Sequence, residues 1–158
     1  MIVVYVAGKF RGRNDWEVAE NVRAAERAGF EVAKLGVMPL IPHTNTAHFD
    51  GTLTPEFWVD GTKELMRRAD AVYVFDKWDL DRSSGTRGEV EEAKKLAMPV
   101  FFSLVDLQVW KASDPKLRPC PACGGDGYHK GGGLYAGTYI SIESDAPCQA
   151  CGGTGRRF

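Results

Sequence analysis

A glutamate that follows a strand-like segment and a turn of small residues is the strongest chemical signal in this sequence. Residues 71–75 form an apolar run of strand length, and after a short polar loop the chain reads Ser83-Ser84-Gly85-Thr86-Arg87-Gly88-Glu89. In an open parallel sheet, ligands bind in the crevice at the carboxyl ends of the strands. The turn offers hydroxyls and backbone N–H groups that suit a phosphate. Glu89 beside them is therefore a candidate nucleophile.

The same turn has a purely structural interpretation. Thr86 and Glu89 have the spacing of a capping box, in which a threonine at the N-cap and a glutamate three residues later each bond to the backbone of the other. On this interpretation a helix covers residues 88–97, and Glu89 only stabilises its first turn. Both interpretations stay open at the level of the sequence.

The four cysteines form a second chemical group, and all lie in the last 39 residues. They occur in two related octapeptides, Cys120-Pro-Ala-Cys123-Gly-Gly-Asp-Gly127 and Cys148-Gln-Ala-Cys151-Gly-Gly-Thr-Gly155. Two Cys-x-x-Cys-Gly knuckles supply the four thiolates of a closed tetrahedral zinc site. We therefore expect one structural Zn²⁺ on these cysteines. Two disulfides are the alternative, which a reducing compartment disfavours.

Composition argues against several classes of partner. The chain carries 20 Lys and Arg against 21 Asp and Glu, a formal net charge of −1, which gives no electrostatic attraction to nucleic acid or to an anionic membrane. No apolar run reaches the roughly 20 residues that cross a bilayer, and the N-terminus lacks the basic region of a signal peptide. We therefore expect a cytoplasmic protein that binds neither a membrane nor a nucleic acid.

Strand and helix patterns alternate through residues 1–112. Apolar runs predict strands at 2–6, 37–41, 71–75 and 100–103, and helical spacing predicts helices from Asn14 or Asp15 to Leu35, from Pro55 to Arg68, over 88–97 and over 104–111. This alternation predicts an α/β fold, a Rossmann-like open parallel sheet of about four to five strands flanked by helices. Pro39 favours an edge position for the second strand, Gly29 a kink in the first helix, and residues 42–54 a polar loop.

Residues 113–158 are predicted to form a separate, zinc-ribbon-like module. The segment is rich in glycine and lacks an amphipathic helix pattern, and residues 134–142 suit a β-hairpin. Because so small a segment buries little core, its folding is expected to depend on the metal. Its octapeptides resemble the Cys-x-x-Cys-x-Gly-x-Gly repeats of the zinc-binding region in J-domain chaperones.

Residues 1 to about 104 resemble the nucleoside 2-deoxyribosyltransferase-like superfamily, which includes deoxynucleoside 5'-monophosphate N-glycosidases. Three segments carry the resemblance: Tyr5-Val-Ala-Gly8-Lys9-Phe10-Arg11-Gly12, then residues 42–51, then Ala69-Asp70-Ala-Val together with Ser83-x-Gly85-x-x-x-Glu89. The resemblance implies that Glu89 is the nucleophile on the sugar C1' and that Tyr5 lines the same site. It also implies a phosphate site, and the candidate binding residues are Gly8, Lys9, Phe10, Arg11, Ser83 and Gly85.

One position departs from the family's pattern. The family's second carboxylate lies eight residues before the aspartate that opens the third strand, here Asp70, and that position is Thr62. Either Asp60 or Asp50 then replaces it, and Asp60 is our catalytic candidate. Phe10, Trp58 and Trp78 are candidates to stack on a base, while His43 and His48 are either metal ligands or residues that cap turns.

These residues predict an enzyme that hydrolyses the N-glycosidic bond of a (deoxy)nucleoside 5'-monophosphate. Hydrolysis is preferred to base exchange because the pair Arg11 and Ser83 suits a 5'-phosphate. The alternatives are a nucleotide-binding or sensing module without turnover, a nucleoside deoxyribosyltransferase, and a zinc-bearing interaction protein whose α/β domain is a scaffold. The resemblance also implies a homo-oligomer.

Overall fold

The computed structural model describes residues 1–49, 51–77, 83–113, 128–135 and 138–149. The chain divides into two compact units, Met1–Leu107 and Gln108–Phe158. The predicted boundary lay between residues 112 and 113. Asp50, Trp78, Cys120, Cys123 and Cys151, all named by the sequence analysis, lie outside the described residues.

Strands and helices alternate through the first unit. They are β1 (Val3–Ala7), α1 (Asp15–Lys34), β2 (Met38–Leu40), α2 (Pro42–Thr46), α3 (Pro55–Met66), β3 (Ala71–Val74), α4 (Ser84–Lys95), β4 (Val100–Phe101) and α5 (Leu104–Ser113). In the described part of the chain the sheet has four strands in the order β2-β1-β3-β4, and each neighbouring pair is parallel. The predicted α/β class is confirmed, and β2 lies at an edge as Pro39 indicated.

The two central strands supply the core. Val4, Val6 and Val72 are fully buried, as expected for parallel strands whose two faces are both covered by helices. Tyr5 and Met66 are also fully buried, and both belong to the apolar cluster between the sheet and the helices. The cluster extends to α4 through Val90 and Ala93, so the strand that carries Tyr5 and the helix that carries Glu89 pack on one core.

Local capping fixes the starts of the first two long helices as predicted. The side chain of Asn14 accepts a hydrogen bond from Glu17 N at 2.9 Å, and Thr54 accepts one from Phe57 N at 3.4 Å ahead of Pro55. Gly29 lies within α1, where a β-carbon would come within 2.3 Å of Ile41 Cδ1. This glycine therefore serves the close packing of α1 against Ile41.

Two predictions about local structure were wrong. The helix that carries Glu89 begins at Ser84, and its N-cap is Ser83, whose Oγ accepts a hydrogen bond from Thr86 N at 3.2 Å. Glu89 therefore lies in the second turn, and the capping box with Thr86 does not form. Residues 42–54 are not all loop, because Pro42 opens the short helix α2. Ser83 and Pro42 are each residue types that start helices, and the sequence analysis gave that weight to neighbouring positions.

The second unit contains an antiparallel hairpin, as predicted, but a longer one. Its strands are β5 (Tyr128–Tyr135) and β6 (Thr138–Pro147). The register pairs Tyr135 with Thr138 at the turn and Tyr128 with Pro147 at the open end. The chain segments that lead to the two Cys-x-x-Cys sequences therefore leave from the same end of the hairpin. Cys148, directly after β6, is buried.

Membrane crossing was tested on the helices. Over the described ranges, none is both long enough and apolar enough to span a bilayer.

The core makes a prediction that two methionines test against each other. Met66→Ala should lower the free energy of unfolding by about 2–5 kcal/mol, because it removes a fully buried side chain and leaves a cavity. Met38→Ala is the matched control, because Met38 is 54% exposed whereas Met66 is 0% exposed. Urea denaturation of both variants measures the difference. Equal losses would contradict this account of the core.

Candidate active site

A cavity of about 480 Å³ lies within the first unit, in the size range of small-molecule sites. Its walls are the loop after β1, the helix α2 after β2, one face of α3, and the start of α4. This is the carboxyl edge of the parallel sheet, where open α/β folds bind ligands. The lining residues are Gly8, Lys9, Phe10, Arg11, Pro42, His43, Thr46, Pro55, Trp58, Val59, Thr62, Ser83, Ser84, Gly85, Thr86 and Glu89.

Glu89 and Tyr5 form the chemical centre of this cavity. The hydroxyl of Tyr5 donates a hydrogen bond to Glu89 Oε1 at 2.6 Å. Burial raises the pKa of Glu89 from its ordinary 4.5 to about 7, against the lowering effects of the Tyr5 hydrogen bond and the Lys63 charge. Burial, and then the nearby Glu89 charge, raise the pKa of Tyr5 well above its usual value. Tyr5 is thus a permanent donor to a carboxylate that titrates near neutral pH.

The start of α4 offers an anion site at one end of the cavity. Ser83 Oγ accepts hydrogen bonds from Thr86 N at 3.2 Å and from Thr86 Oγ1 at 2.8 Å, which leaves its own proton for a ligand. The N–H groups of Ser84 and Gly85 are the first of the helix, where no intrahelical acceptor exists. A β-carbon on Gly85 would have only Ser83 Oγ within 4.0 Å, so a ligand can approach the backbone closely.

The loop after β1 brings positive charge to the same cavity. Lys9 and Arg11 both line it, and the exposed Arg11 guanidinium forms no ion pair with any residue that the structure describes. A guanidinium and a helix N-terminus both favour a bound anion, and the guanidinium can bind two of its oxygens at once. This part of the cavity is suited to a phosphate.

His43 fixes where that loop begins. Its ring lies between those of Phe10 and Phe75, with centroids 5.9 Å away on each side. Its Nε2 is 3.1 Å from Gly8 O, and because a carbonyl can only accept, Nε2 carries a proton and donates it. Burial lowers the pKa of His43, so the ring is neutral at neutral pH. Gly8 has to be a glycine, because a β-carbon would come within 2.1 Å of the Phe75 ring.

One face of α3 forms the opposite wall. Pro55, Trp58, Val59 and Thr62 follow the i, i+3, i+4, i+7 spacing of a single helical face. The Trp58 ring stacks on Phe49 with centroids 5.6 Å apart, which gives the wall a fixed aromatic surface of the size of a nucleobase.

Thr62 is the polar group of that wall. Its hydroxyl donates to Val59 O at 3.0 Å and lies close enough to the Tyr5 phenol to lower its pKa slightly against the stronger raising effects. The position at which the resemblance implies a second carboxylate therefore does face Tyr5 and Glu89, but with an uncharged side chain.

Most of the predicted site residues come together, and two do not. Gly8, Lys9, Phe10, Arg11, Ser83, Gly85 and Glu89 line the cavity, and Tyr5 lies against Glu89. Asp60 is exposed and does not line it, because it lies two positions, or about 200°, around α3 from Thr62. His48 is exposed outside the cavity. No cluster of three His, Cys, Asp or Glu side chains in the described ranges could hold a metal ion.

Sequence reasoning missed the role of two polar residues that position the loop. It treated His43 as a ligand or a turn cap and did not consider Asn21, whose amide donates to the carbonyls of Phe10 and Arg11. For His43 the signal was a histidine directly after a proline in a family-like segment. For Asn21, a polar residue inside an amphipathic helix, the sequence offers no signal.

The raised pKa of Glu89 gives a stability prediction with a definite sign. A carboxyl group whose pKa is higher in the folded state stabilises the fold below its unfolded pKa, near 4.5, and that stability is lost as the pH rises through about 7. Glu89→Gln should therefore be more stable than the native protein at pH 8, by about 1–3 kcal/mol, with little difference at pH 5. Urea unfolding at both pH values measures this.

Glu91→Gln is the matched control, because Glu91 is exposed on the same helix. It should show no gain that depends on pH. A Glu89→Gln protein that is equally or less stable at pH 8 would show that the carboxylate is not buried at a cost.

The comparison with known proteins assigns the first unit to a family. The family described as "Domain of unknown function (DUF7768)" matches residues 2–103, and every residue that lines the cavity falls within this range. No curated protein matches the chain. Because the match covers more than half of the 158 residues, the chain belongs to the family of the domain of unknown function DUF7768.

Proposed function

We propose that this protein hydrolyses the N-glycosidic bond of a nucleoside or deoxynucleoside 5'-monophosphate, with Glu89 as the nucleophile. The observation that carries the proposal is the hydrogen bond from Tyr5 to Glu89 Oε1 in the cavity. It orients a buried carboxylate and leaves Oε2, which accepts no hydrogen bond from the described residues, for the substrate. A nucleophile held in one orientation is what displacement at a sugar carbon requires.

The proposed reaction has two steps. In the first, Glu89 Oε2 forms a bond to C1' while the C1'–N bond breaks, and the electron pair leaves on the base, which takes a proton from solvent. In the second, water attacks C1', the bond to Glu89 breaks, and the carboxylate is regenerated as the second water proton is released. The products are the free base and the sugar 5-phosphate. A carboxylate suits this chemistry because the transition states resemble an oxocarbenium ion.

The phosphate assignment rests on the groups at the other end of the cavity. The Arg11 guanidinium, the Ser83 hydroxyl and the first N–H groups of α4 converge on the same space, and together they can bind the oxygens of a 5'-phosphate. The base then faces α3, where Trp58 supplies an aromatic surface.

One observation favours a second candidate function, nucleotide binding or sensing without turnover. The wall of α3 presents Thr62 where a second carboxylate would protonate the leaving base. A protein that kept the binding groups but lost this acid would hold a nucleotide without cleaving it. Transfer of the sugar to another base, and a scaffold with no affinity for nucleotides, are distinguished by the same assay.

For the second unit we propose a structural zinc site on Cys120, Cys123, Cys148 and Cys151. The support is the repeated Cys-x-x-Cys-Gly sequence together with the hairpin register, which pairs Tyr128 with Pro147. Because both knuckles leave from that end of the hairpin, two pairs of thiolates can reach one ion. Zinc there would crosslink the two ends of the hairpin and would take no part in the reaction.

The cellular setting and the assembly are further parts of the proposal. Four thiolates on a metal suit the reducing cytoplasm better than an oxidising compartment, so we place the protein there. The resemblance of the first unit to deoxyribosyltransferase-like enzymes supports a homo-oligomer. Size-exclusion chromatography with light scattering measures the assembly directly.

The proposed function predicts that base release depends on Glu89. The native protein, incubated with a panel of ribo- and deoxyribonucleoside 5'-monophosphates, should release free base, and Glu89→Gln should lower the rate by about 10³-fold or more because the nucleophile is lost. Chromatographic detection of the base measures this, with Glu91→Gln as the control. Release only with an added acceptor base indicates a transferase. Binding without release indicates a sensor, and neither binding nor release indicates a scaffold.

The pKa of Glu89 predicts how the rate depends on pH. Base release should increase as the pH rises through about 7, because the ionised carboxylate is the nucleophile. Tyr5→Phe removes a hydrogen bond that lowers the pKa of Glu89, so the midpoint of kcat/KM should move to higher pH. Tyr73→Phe is the control, because Tyr73 is on the neighbouring strand and does not line the cavity. A midpoint that stays in place or falls in Tyr5→Phe would refute this role.

The zinc proposal predicts one zinc ion per chain in the purified protein. Elemental analysis should find this stoichiometry, and Cys148→Ser should lower it because three thiolates bind the ion less tightly. His129→Ala, a change of a possible ligand outside the knuckles, should keep the zinc. A native protein that is free of zinc, with its cysteines in disulfides, would exclude the site.

A further inference from the structure

The side chain of Asn21 is committed entirely to the loop after β1. Asn21 is on α1, and its Nδ2 donates to Phe10 O at 3.0 Å and to Arg11 O at 3.1 Å. An amide nitrogen has two hydrogens, so each hydrogen is used on one of two successive carbonyls. The two peptide groups after Phe10 and Arg11 are therefore held with their oxygens towards α1.

This arrangement fixes the direction of two N–H groups. In a trans peptide the N–H and the C=O point in opposite directions, and the chain has no cis peptide bonds in the described ranges. The N–H groups of Arg11 and Gly12 therefore point away from Asn21. Neither has a hydrogen-bond partner among the residues that the structure describes. Successive N–H groups turned the same way form a concave anion site.

The loop is also fixed at its two ends. At its start, His43 donates to Gly8 O at 3.1 Å. At its end, a β-carbon on Gly12 would come within 2.4 Å of Glu17 Cβ and 2.8 Å of Val18 N, so the backbone there packs directly on α1. The conformation of the loop is thus set by contacts within the protein, before any ligand is bound.

We propose that Asn21 is a positioning residue, which holds the loop so that the N–H groups of Arg11 and Gly12 bind the phosphate of the substrate together with the Arg11 guanidinium. The assignment of that phosphate to a nucleotide rests on the proposed function, whereas the anion site itself does not. Asn21 touches no part of the cavity lining with a group that reacts. Its contribution is the orientation of donors that a mobile loop would have to order at each binding event.

A titration with inorganic phosphate tests the site without turnover. In ¹⁵N–¹H spectra of the full chain, phosphate should shift the amide signals of Arg11 and Gly12. Asn21→Leu, which has a similar shape and no donor, should bind phosphate at least tenfold more weakly, the change expected when a site loses aligned hydrogen bonds. Asn45→Leu is the matched control, because Asn45 is an exposed asparagine on α2. It should bind phosphate like the native protein.

Asn21→Asp provides a second variant in case the leucine variant folds poorly. It keeps a polar side chain but cannot donate to the carbonyls when ionised, and it should also bind phosphate at least tenfold more weakly. The proposal is overturned if both Asn21 variants fold and bind phosphate as the native protein does. It is equally overturned if phosphate leaves the amides of Arg11 and Gly12 unshifted in the native protein.

The base-release assay separates this inference from the proposed function. With an active substrate, Asn21→Leu should raise KM for the 5'-monophosphate about tenfold or more while kcat stays within about twofold, a split that general destabilisation would not produce. If the native protein releases no base but phosphate shifts the two amides in a manner that depends on Asn21, the proposed function fails and the inference stands. If base is released and KM does not change, the inference fails alone.

Discussion

Burial of an ionisable carboxyl group beside a phenol is the constraint around which the rest of the site is arranged. Tyr5 is fully buried in the central strand β1, and Glu89 reaches it from the second turn of α4. The hydrogen bond at 2.6 Å can form only if β1 and α4 pack on a common core and if α4 begins early enough to carry Glu89 inward. The core residues Val90 and Ala93 on α4 and the N-cap at Ser83 satisfy these two conditions.

This arrangement exchanges stability for reactivity. Desolvation raises the pKa of Glu89 to about 7, which means that the ionised form is held in the fold at a free-energy cost near neutral pH. The same desolvation makes the carboxylate a stronger base than an exposed one, as a nucleophile requires. Tyr5 offsets part of the cost, since its hydrogen bond stabilises the ionised form. Strain of this kind at one position is typical of sites under functional constraint.

The polar groups around the centre are held by the protein rather than by a ligand. His43 and Asn21 each hold a backbone carbonyl of the loop after β1, and Gly8 and Gly12 permit approaches that a side chain would block. The start of α4 is fixed by its own serine cap. A site whose donors are already oriented pays little ordering entropy when an anion binds, and this preorganisation is the physical argument for phosphate recognition here.

The sequence by itself determined the α/β class, the order of the elements, and the starts of α1 and α3, because these depend on local patterns: apolar runs, helical spacing, and caps such as Asn14 and Thr54. It also indicated Glu89, Tyr5 and the loop from Gly8 to Arg11. It could not decide between Ser83 and Thr86 as the cap of α4, because both hydroxyls can cap a helix.

Only the tertiary structure decided that Thr62 rather than Asp60 faces the cavity, because the rotation of α3 is set by its packing on the core. Only the tertiary structure showed the roles of Asn21 and His43, because their partners lie 10 to 35 positions away in the chain. Contacts across such distances depend on how the elements pack together, and a local pattern contains no record of them.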